Sequence, residues 1–130
     1  FSIAPLIGSL ELLQEATIQK IREKSLRLTR YLMDLVYQEL KEWGFSIGNP
    51  VEDSSRGGHV CLIHDEALRI CKALKEVKVI TDYRKPNCIR LAPVALYTSY
   101  VDVWEAVQRL KCIMAEKRYE TFTNDCEVIV

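Results

Sequence analysis

The chain has no apolar run approaching the about 18 residues that a membrane-spanning helix requires, so a spanning segment is not expected. It has no excess charge of either sign. Its 18 basic and 18 acidic residues give a formal net charge of +0, which removes any general electrostatic pull toward nucleic acid or an anionic membrane surface. Histidine occurs only twice, as His59 and His64. Both fall on one strand-like stretch without a cluster of other ligands, so a metal site is not expected. The five cysteines are an odd number with no Cys-x-x-Cys pair. They read as free, mostly buried thiols in a reducing, cytoplasmic compartment. A secretory leader is not expected either, because no basic segment leads into an apolar one. Phe1 is not a start residue, which suggests a piece of a longer protein.

With 48% hydrophobic and 28% charged residues, the composition is that of a globular domain, and 130 residues suit one domain. Ile3 to Leu13 has helical apolar spacing, with Pro5 suited to a first turn. Thr17 is placed to cap a second helix from Ile18 to about Trp43, whose stripe of Ile18, Ile21, Ser25, Leu28, Leu32, Leu35 and Leu40 reads as a core face. Gly44 suits a helix end. Short strands are expected at Phe45 to Ile47 and His59 to His64. A helix capped by Asp65 follows at Glu66 to Glu76, and then a strand at Val77 to Thr81. Ser99 and Asp102 make a capping box for a last helix running to about Lys117. Residues after Glu116 are left as a loose tail, with Glu127 to Val130 as a candidate edge strand. The order implies an α+β domain over residues 1–130, with helices on one face of a small, largely antiparallel sheet of about four strands.

The stretch Asp82 to Tyr97 carries the most chemistry. Cys88 to Ala92 reads as a short strand closed on each side by proline, at Pro86 and Pro93. Alternation puts Ile89 and Leu91 on one face and Arg90 on the other. An arginine there serves a salt bridge or an exposed strand face, or it recognises an anion through its planar fork of donors. Arg84 has the simpler reading of a tie to Asp82 or to a backbone carbonyl. Tyr97 hydrogen-bonds within the segment or packs in the core. Cys88 reads as a small core hydrophobe. Arg56-Gly57-Gly58-His59 lacks the spacing and helix start of a phosphate loop and reads as a turn entering a strand. No nucleophile, base and orienting group are arranged for covalent catalysis.

The run Asp-x-Arg-x-Pro-x-x-Ile-Arg-x-Ala-Pro-Val-x-Leu-Tyr, filled here from Asp82 to Tyr97, resembles the C-terminal signature of kynureninases, the pyridoxal-phosphate hydrolases of tryptophan catabolism. Ala4 to Glu11, Ile21 to Ser25 with Thr29, Tyr31 and Leu32, and Arg56 to Val60 resemble segments of the bacterial members in the same order. The resemblance implies the small C-terminal domain of a larger enzyme that hydrolyses L-kynurenine to anthranilate and L-alanine. It implies that Arg90 binds the substrate α-carboxylate, and that Arg84 has at most a lesser substrate-binding role. It also implies a homodimer. The Schiff-base lysine and the phosphate-binding groups would lie in a preceding large domain. No lysine of this chain sits in the family's cofactor-lysine motif, so the chain alone is expected to be inactive and to bind no cofactor. The choice between kynurenine and its 3-hydroxy form would lie in ring-contacting residues elsewhere. Two other readings stand beside this one. One is the small domain of a related pyridoxal-phosphate enzyme such as a cysteine desulfurase or aminotransferase, distinguished by activity on cysteine. The other is a non-catalytic α+β interaction module.

Overall fold

A computed structural model describes residues 3–126 of the chain. Helix α1 (Ile3–Ala16) leads into α2 (Ile18–Glu39) through Thr17, whose side-chain oxygen accepts the Lys20 N–H at 3.4 Å. A 3-10 turn, Lys41–Trp43, ends at Gly44 with φ of +85°, a left-handed conformation that suits glycine. The remaining elements are β1 (Ser46–Ile47), β2 (Val60–Ile63), α3 (Ala67–Glu76), β3 (Asp82–Arg84), β4 (Cys88–Leu91), α4 (Tyr100–Ala115) and a 3-10 turn at Arg118–Thr121. The candidate strand at Glu127 to Val130 lies outside the described residues.

The four strands form one sheet in the order β1-β2-β4-β3, with every ladder antiparallel. Cross-strand partners share a face, and Val60 pairs with Leu91, Leu62 with Ile89, and Ile89 with Tyr83. Val60, Leu62 and Ile89 are fully buried against Leu28 and Leu32 of α2, Ile70 and Leu74 of α3, and Val107 and Leu110 of α4. The helices therefore pack on one sheet face, giving the expected α+β architecture. The opposite face carries Cys61, Ile63, Cys88, Arg90, Asp82 and Arg84.

Three local expectations are corrected. The strand expected at Val77 to Thr81 begins only at Asp82. Residues 77–79 instead finish α3: Lys78 takes φ of +66°, and the N–H groups of Val77 and Val79 both donate to the Leu74 carbonyl. The cap expected from Asp65 is absent, since Glu66 takes the N-cap position without a side-chain bond. His64 binds there instead: its Nδ1 accepts the Glu66 N–H at 2.9 Å while Nε2 lies 2.9 Å from the Trp43 carbonyl. Only Nε2 can then donate, which fixes the neutral tautomer. On α2 the apolar stripe becomes core only from Leu28 onward, and Ile18 is 74% exposed. The α4 capping box forms as expected, with Ser99 N–H to Asp102 Oδ2 at 2.8 Å and Asp102 N–H to Ser99 Oγ at 3.1 Å. After α4, Arg69 donates to the carbonyls of Glu120 and Phe122, and Lys72 to those of Thr123 and Asp125. These bonds tie residues 120–125 to α3.

Helix α1 stands apart from this core. None of its residues is buried, yet Leu6, Ile7, Leu10, Leu12 and Leu13 are all large and apolar. A helix with this many large apolar residues normally buries them against other protein. Stability is therefore expected to separate along the chain. Leu62→Ala should cost about 2–5 kcal/mol because it opens a void in the core. Leu10→Ser should change stability by no more than about 0.5 kcal/mol. Urea unfolding of the two variants checks this, and a large loss at Leu10 would mean that α1 is packed after all.

Candidate functional site

The open sheet face places Cys61, Arg90 and Asp82 side by side on three adjacent strands: Arg90 on β4 lies opposite Cys61 of β2 and opposite Asp82 of β3. The next row along the strands holds Ile63, Cys88 and Arg84. At the β1 side, Gly48 approaches so closely that an added Cβ would lie 2.8 Å from Ile63 Cδ1. The β3–β4 hairpin turns through a cis Lys85–Pro86 bond, and Tyr83 Oη donates to the Pro86 carbonyl at 2.8 Å.

Asp82 is the centre of the polar contacts. Its Oδ2 accepts from Arg90 Nη2 and, at 2.9 Å, from Arg84 Nε. Two guanidiniums share one carboxylate, so the trio carries a local charge of +2 − 1 = +1. The Arg90 side chain is 34% exposed and that of Asp82 is 46% exposed. Ion pairs this open to water contribute about 0–1 kcal/mol, too little for the fold to depend on them. Availability matters more. A guanidinium has two edges that each present a pair of donors, Nε with Nη2 and Nη2 with Nη1. Asp82 takes a single hydrogen of Nη2, and among the described residues Nε and Nη1 make no hydrogen bond. Whichever Nη2 hydrogen is used, one complete two-donor edge remains, and that edge matches a carboxylate.

The Cys88 thiol next to Arg90 is a poor nucleophile. Burial, and then the neighbouring Cys61 sulfur, push the Cys88 thiol up to about 11, so it stays protonated at neutral pH. Burial also raises Cys71, whose sulfur accepts the Thr81 hydroxyl at 3.3 Å. Strand alternation places no lysine on this face. The face therefore offers anion binding and no covalent chemistry of its own. A cleft of about 590 Å³ lies elsewhere, between α3, β3 and the segment after α4. It is lined by Cys71, Lys72, Lys75, Asp82, Tyr83 and Phe122 among others, and it touches the site only through Asp82. Lys72 there is already committed to backbone carbonyls. Tyr97 is 77% exposed, so it does not pack in the core, while its backbone N–H donates to the Val94 carbonyl at 3.2 Å within the segment. His59 forms no hydrogen bond among the described residues and lies at the entry to β2.

A second polar cluster explains other singled-out segments. Arg56 does lie in a turn before β2, but its side chain is fully buried. Its Nε donates to Thr29 Oγ1 at 2.8 Å, and Nη2 donates to the Leu26 carbonyl at 3.0 Å and to Asp53 Oδ1 at 2.7 Å. Nη1 donates to the Val51 carbonyl. Arg22 reaches the carbonyls of Asp53 and Arg56, each at 2.8 Å. The Ile21–Ser25, Thr29 and Arg56–Gly58 segments thus meet in space as one network that pins the loop after β1 to α2. Arg56 is spent on these internal bonds, while Asp53 at the edge of the cluster stays 59% exposed. Sequence reasoning missed both the buried role of Arg56 and the pairing of Asp82 with Arg90. The signal for the latter was the hairpin: two strands folding back around Pro86 bring residues 82 and 90 together.

A family model for the kynureninase C-terminal domain matches residues 21–110. Curated kynureninases are similar along nearly the whole chain. That of Geobacillus thermodenitrificans is 62% identical over 128 residues, covering 98% of this chain and 30% of the relative. Those of Bacillus mycoides and Shouchella clausii are 59% and 56% identical, each again matched over 30% of its length. The chain thus spans about 30% of the length of the curated relatives it matches.

The Arg56 cluster has a pH signature. Hydrogen bonds from Arg56 and then Arg30 hold the Asp53 carboxyl below its usual 3.8. A depressed carboxylate stabilises the folded state above its unfolded value, and that stability is lost as pH falls below 3.8 through the lower folded value. Asp53→Asn should flatten part of the acid-induced fall in urea midpoint below about pH 4. Arg56→Met should cost about 2 kcal/mol at pH 7, measured by urea unfolding, since it removes the donors to the Thr29 hydroxyl and to the Leu26 and Val51 carbonyls.

Proposed function

The chain belongs to the kynureninase family, matching its C-terminal domain, and from that premise we propose that it is the substrate-closing domain of a longer pyridoxal-phosphate hydrolase that converts L-kynurenine to anthranilate and L-alanine. In this reading Arg90 is the anchor for the substrate α-carboxylate. The observation that carries it is the open two-donor edge of Arg90 on a sheet face that no described helix covers, in a trio charged +1.

The physical need is rotational control. A substrate held at one point can still turn, and a carboxylate gripped by a bidentate arginine fixes the remaining freedom. A lysine presents a point charge without the fork and would hold the group less definitely. Pyridoxal phosphate, when bound, supplies the electron sink that bond cleavage needs. The described residues do not themselves fit that cofactor, because the Arg90 face brings no lysine amine. Holding the cofactor is therefore assigned to the rest of the longer protein. What this chain does is bind and orient: Arg90 takes the carboxylate, and the apolar core behind Ile89 fixes the strand that carries it.

Arg84 is given a structural role, since its Nε is engaged by Asp82 and its side chain is 58% exposed. The apolar, unburied α1 supports association with further protein surface, and we assign it to the interior of the longer protein or its homodimer. Among the described residues no helix is long and apolar enough to cross a membrane. We further propose a reducing, cytoplasmic setting, a reading that its free cysteines support.

The test uses the longer protein that contains this chain, supplied with pyridoxal phosphate, with anthranilate fluorescence following L-kynurenine turnover. Arg90→Ala should lower kcat/KM by about two orders of magnitude or more, the effect of losing a charge-assisted bidentate contact. Arg90→Lys should recover only part of it. Full activity in Arg90→Ala would remove the anchor from Arg90, and turnover of cysteine without turnover of kynurenine would assign a different reaction.

A further inference from the structure

The anchoring role of Arg90 requires more than a free edge. The Arg90 side chain has three methylenes between backbone and guanidinium and is 34% exposed, so packing covers its stem without by itself fixing the direction of the fork. Freezing such a side chain costs up to about 2 kcal/mol of rotamer entropy, which a ligand must otherwise supply when it binds. Something in the protein has to set the direction of the fork in advance.

We infer that Asp82 is the positioning residue for Arg90, aiming its guanidinium so that the two-donor edge faces the substrate carboxylate. This rests on the anchoring role proposed above. Three observations carry it. First, the register places Asp82 and Arg90 directly opposite each other on adjacent strands and on the same face. The shorter side chain can therefore grip the longer one by its tip. Second, the grip is on Nη2 alone, so orientation is fixed without using up a donor pair. Third, Asp82 is itself held: Arg84 Nε donates to the same Oδ2 at 2.9 Å. Arg84 thus braces the brace, and it sits in the adjacent row at the hairpin end, where β3 turns toward β4.

The charge balance points the same way. Without Asp82, two guanidiniums on one sheet face would carry +2 and repel each other. With it the trio carries +1, which a single bound carboxylate neutralises. The stability gained from pairs this exposed is about 0–1 kcal/mol, so holding the fold together does not account for the arrangement. An alternative reading makes Asp82 a plug that competes with the substrate for Arg90. It predicts the opposite sign on removal.

The experiment is a double-mutant cycle in the longer protein, loaded with pyridoxal phosphate, with kcat and KM for L-kynurenine measured separately. Thermal midpoints of each variant confirm that it is folded. Asp82→Ala should lower kcat/KM by about 10-fold or more, mainly through KM, and Asp82→Asn, which keeps an acceptor, should fall between. In an Arg90→Ala background, adding Asp82→Ala should change kcat/KM by less than about twofold, because a positioning residue has nothing left to position. Arg90→Lys serves as the background where Arg90→Ala turnover is too slow to read. Additive losses in the double variant would overturn the inference while leaving Arg90 as the anchor. A lower KM in Asp82→Ala would also overturn it, in favour of the plug. Unchanged kcat/KM in Arg90→Ala alone would overturn the anchoring role and this inference with it.

Discussion

Strand β4 can serve both the core and a ligand because successive side chains leave a strand on opposite sides. Ile89 enters the core and is fully buried, while Arg90, one residue on, emerges where no described helix packs. The two placements depend on each other. A one-residue slip of β4 against β2 would bring Arg90 into the core and expose Ile89, so the burial that stabilises the sheet also fixes where the guanidinium points. Leu62 of β2, fully buried opposite Ile89, enforces the same register from the neighbouring strand. The helices set the site's position by packing on the opposite face of the sheet.

Two arginines in this chain show how different an arginine's work can be. Arg56 is buried, and its bonds to Thr29, Asp53 and the backbone of Leu26 and Val51 are all internal. These bonds join the loop after β1 to α2, so its task is to hold that loop. Arg90 has one carboxylate partner and an unused edge, in a setting where ion pairs add little to stability. The same fork of donors is closed in one place and open in the other. The surroundings decide that difference.

What could be read from the sequence follows from how local each feature is. The Ser99–Asp102 box spans a single helical turn, and the alternation of Ile89, Arg90 and Leu91 needs no partner strand, so both were legible. The long resemblance from Asp82 to Tyr97 marked Arg90 before any geometry was known. Features that depend on contacts distant in the chain were hidden. The pairing of Asp82 with Arg90 follows from a register, and the burial of Arg56 from a loop folding onto α2. The strand expected at Val77 to Thr81 failed because Lys78, in a left-handed conformation, ends α3 and redirects the chain, and the Leu74 carbonyl takes the N–H groups of Val77 and Val79. Ile18 satisfied helical periodicity but lies beyond the reach of the sheet, so its exposure depended on where the core stops. Tyr97 was given a role by its place in the signature, yet it sits on a turn that points it outward.

The central claim is that Arg90 meets a carboxylate through a fork whose direction Asp82 sets. A crystal structure of the longer protein, with pyridoxal phosphate and a carboxylate-bearing substrate analogue, tests it most directly. The account predicts two parallel N–H···O contacts of about 2.7–2.9 Å from Arg90 to the analogue's carboxylate, with Asp82 still on Nη2. A carboxylate bound elsewhere, with Arg90 paired only to Asp82, would contradict it.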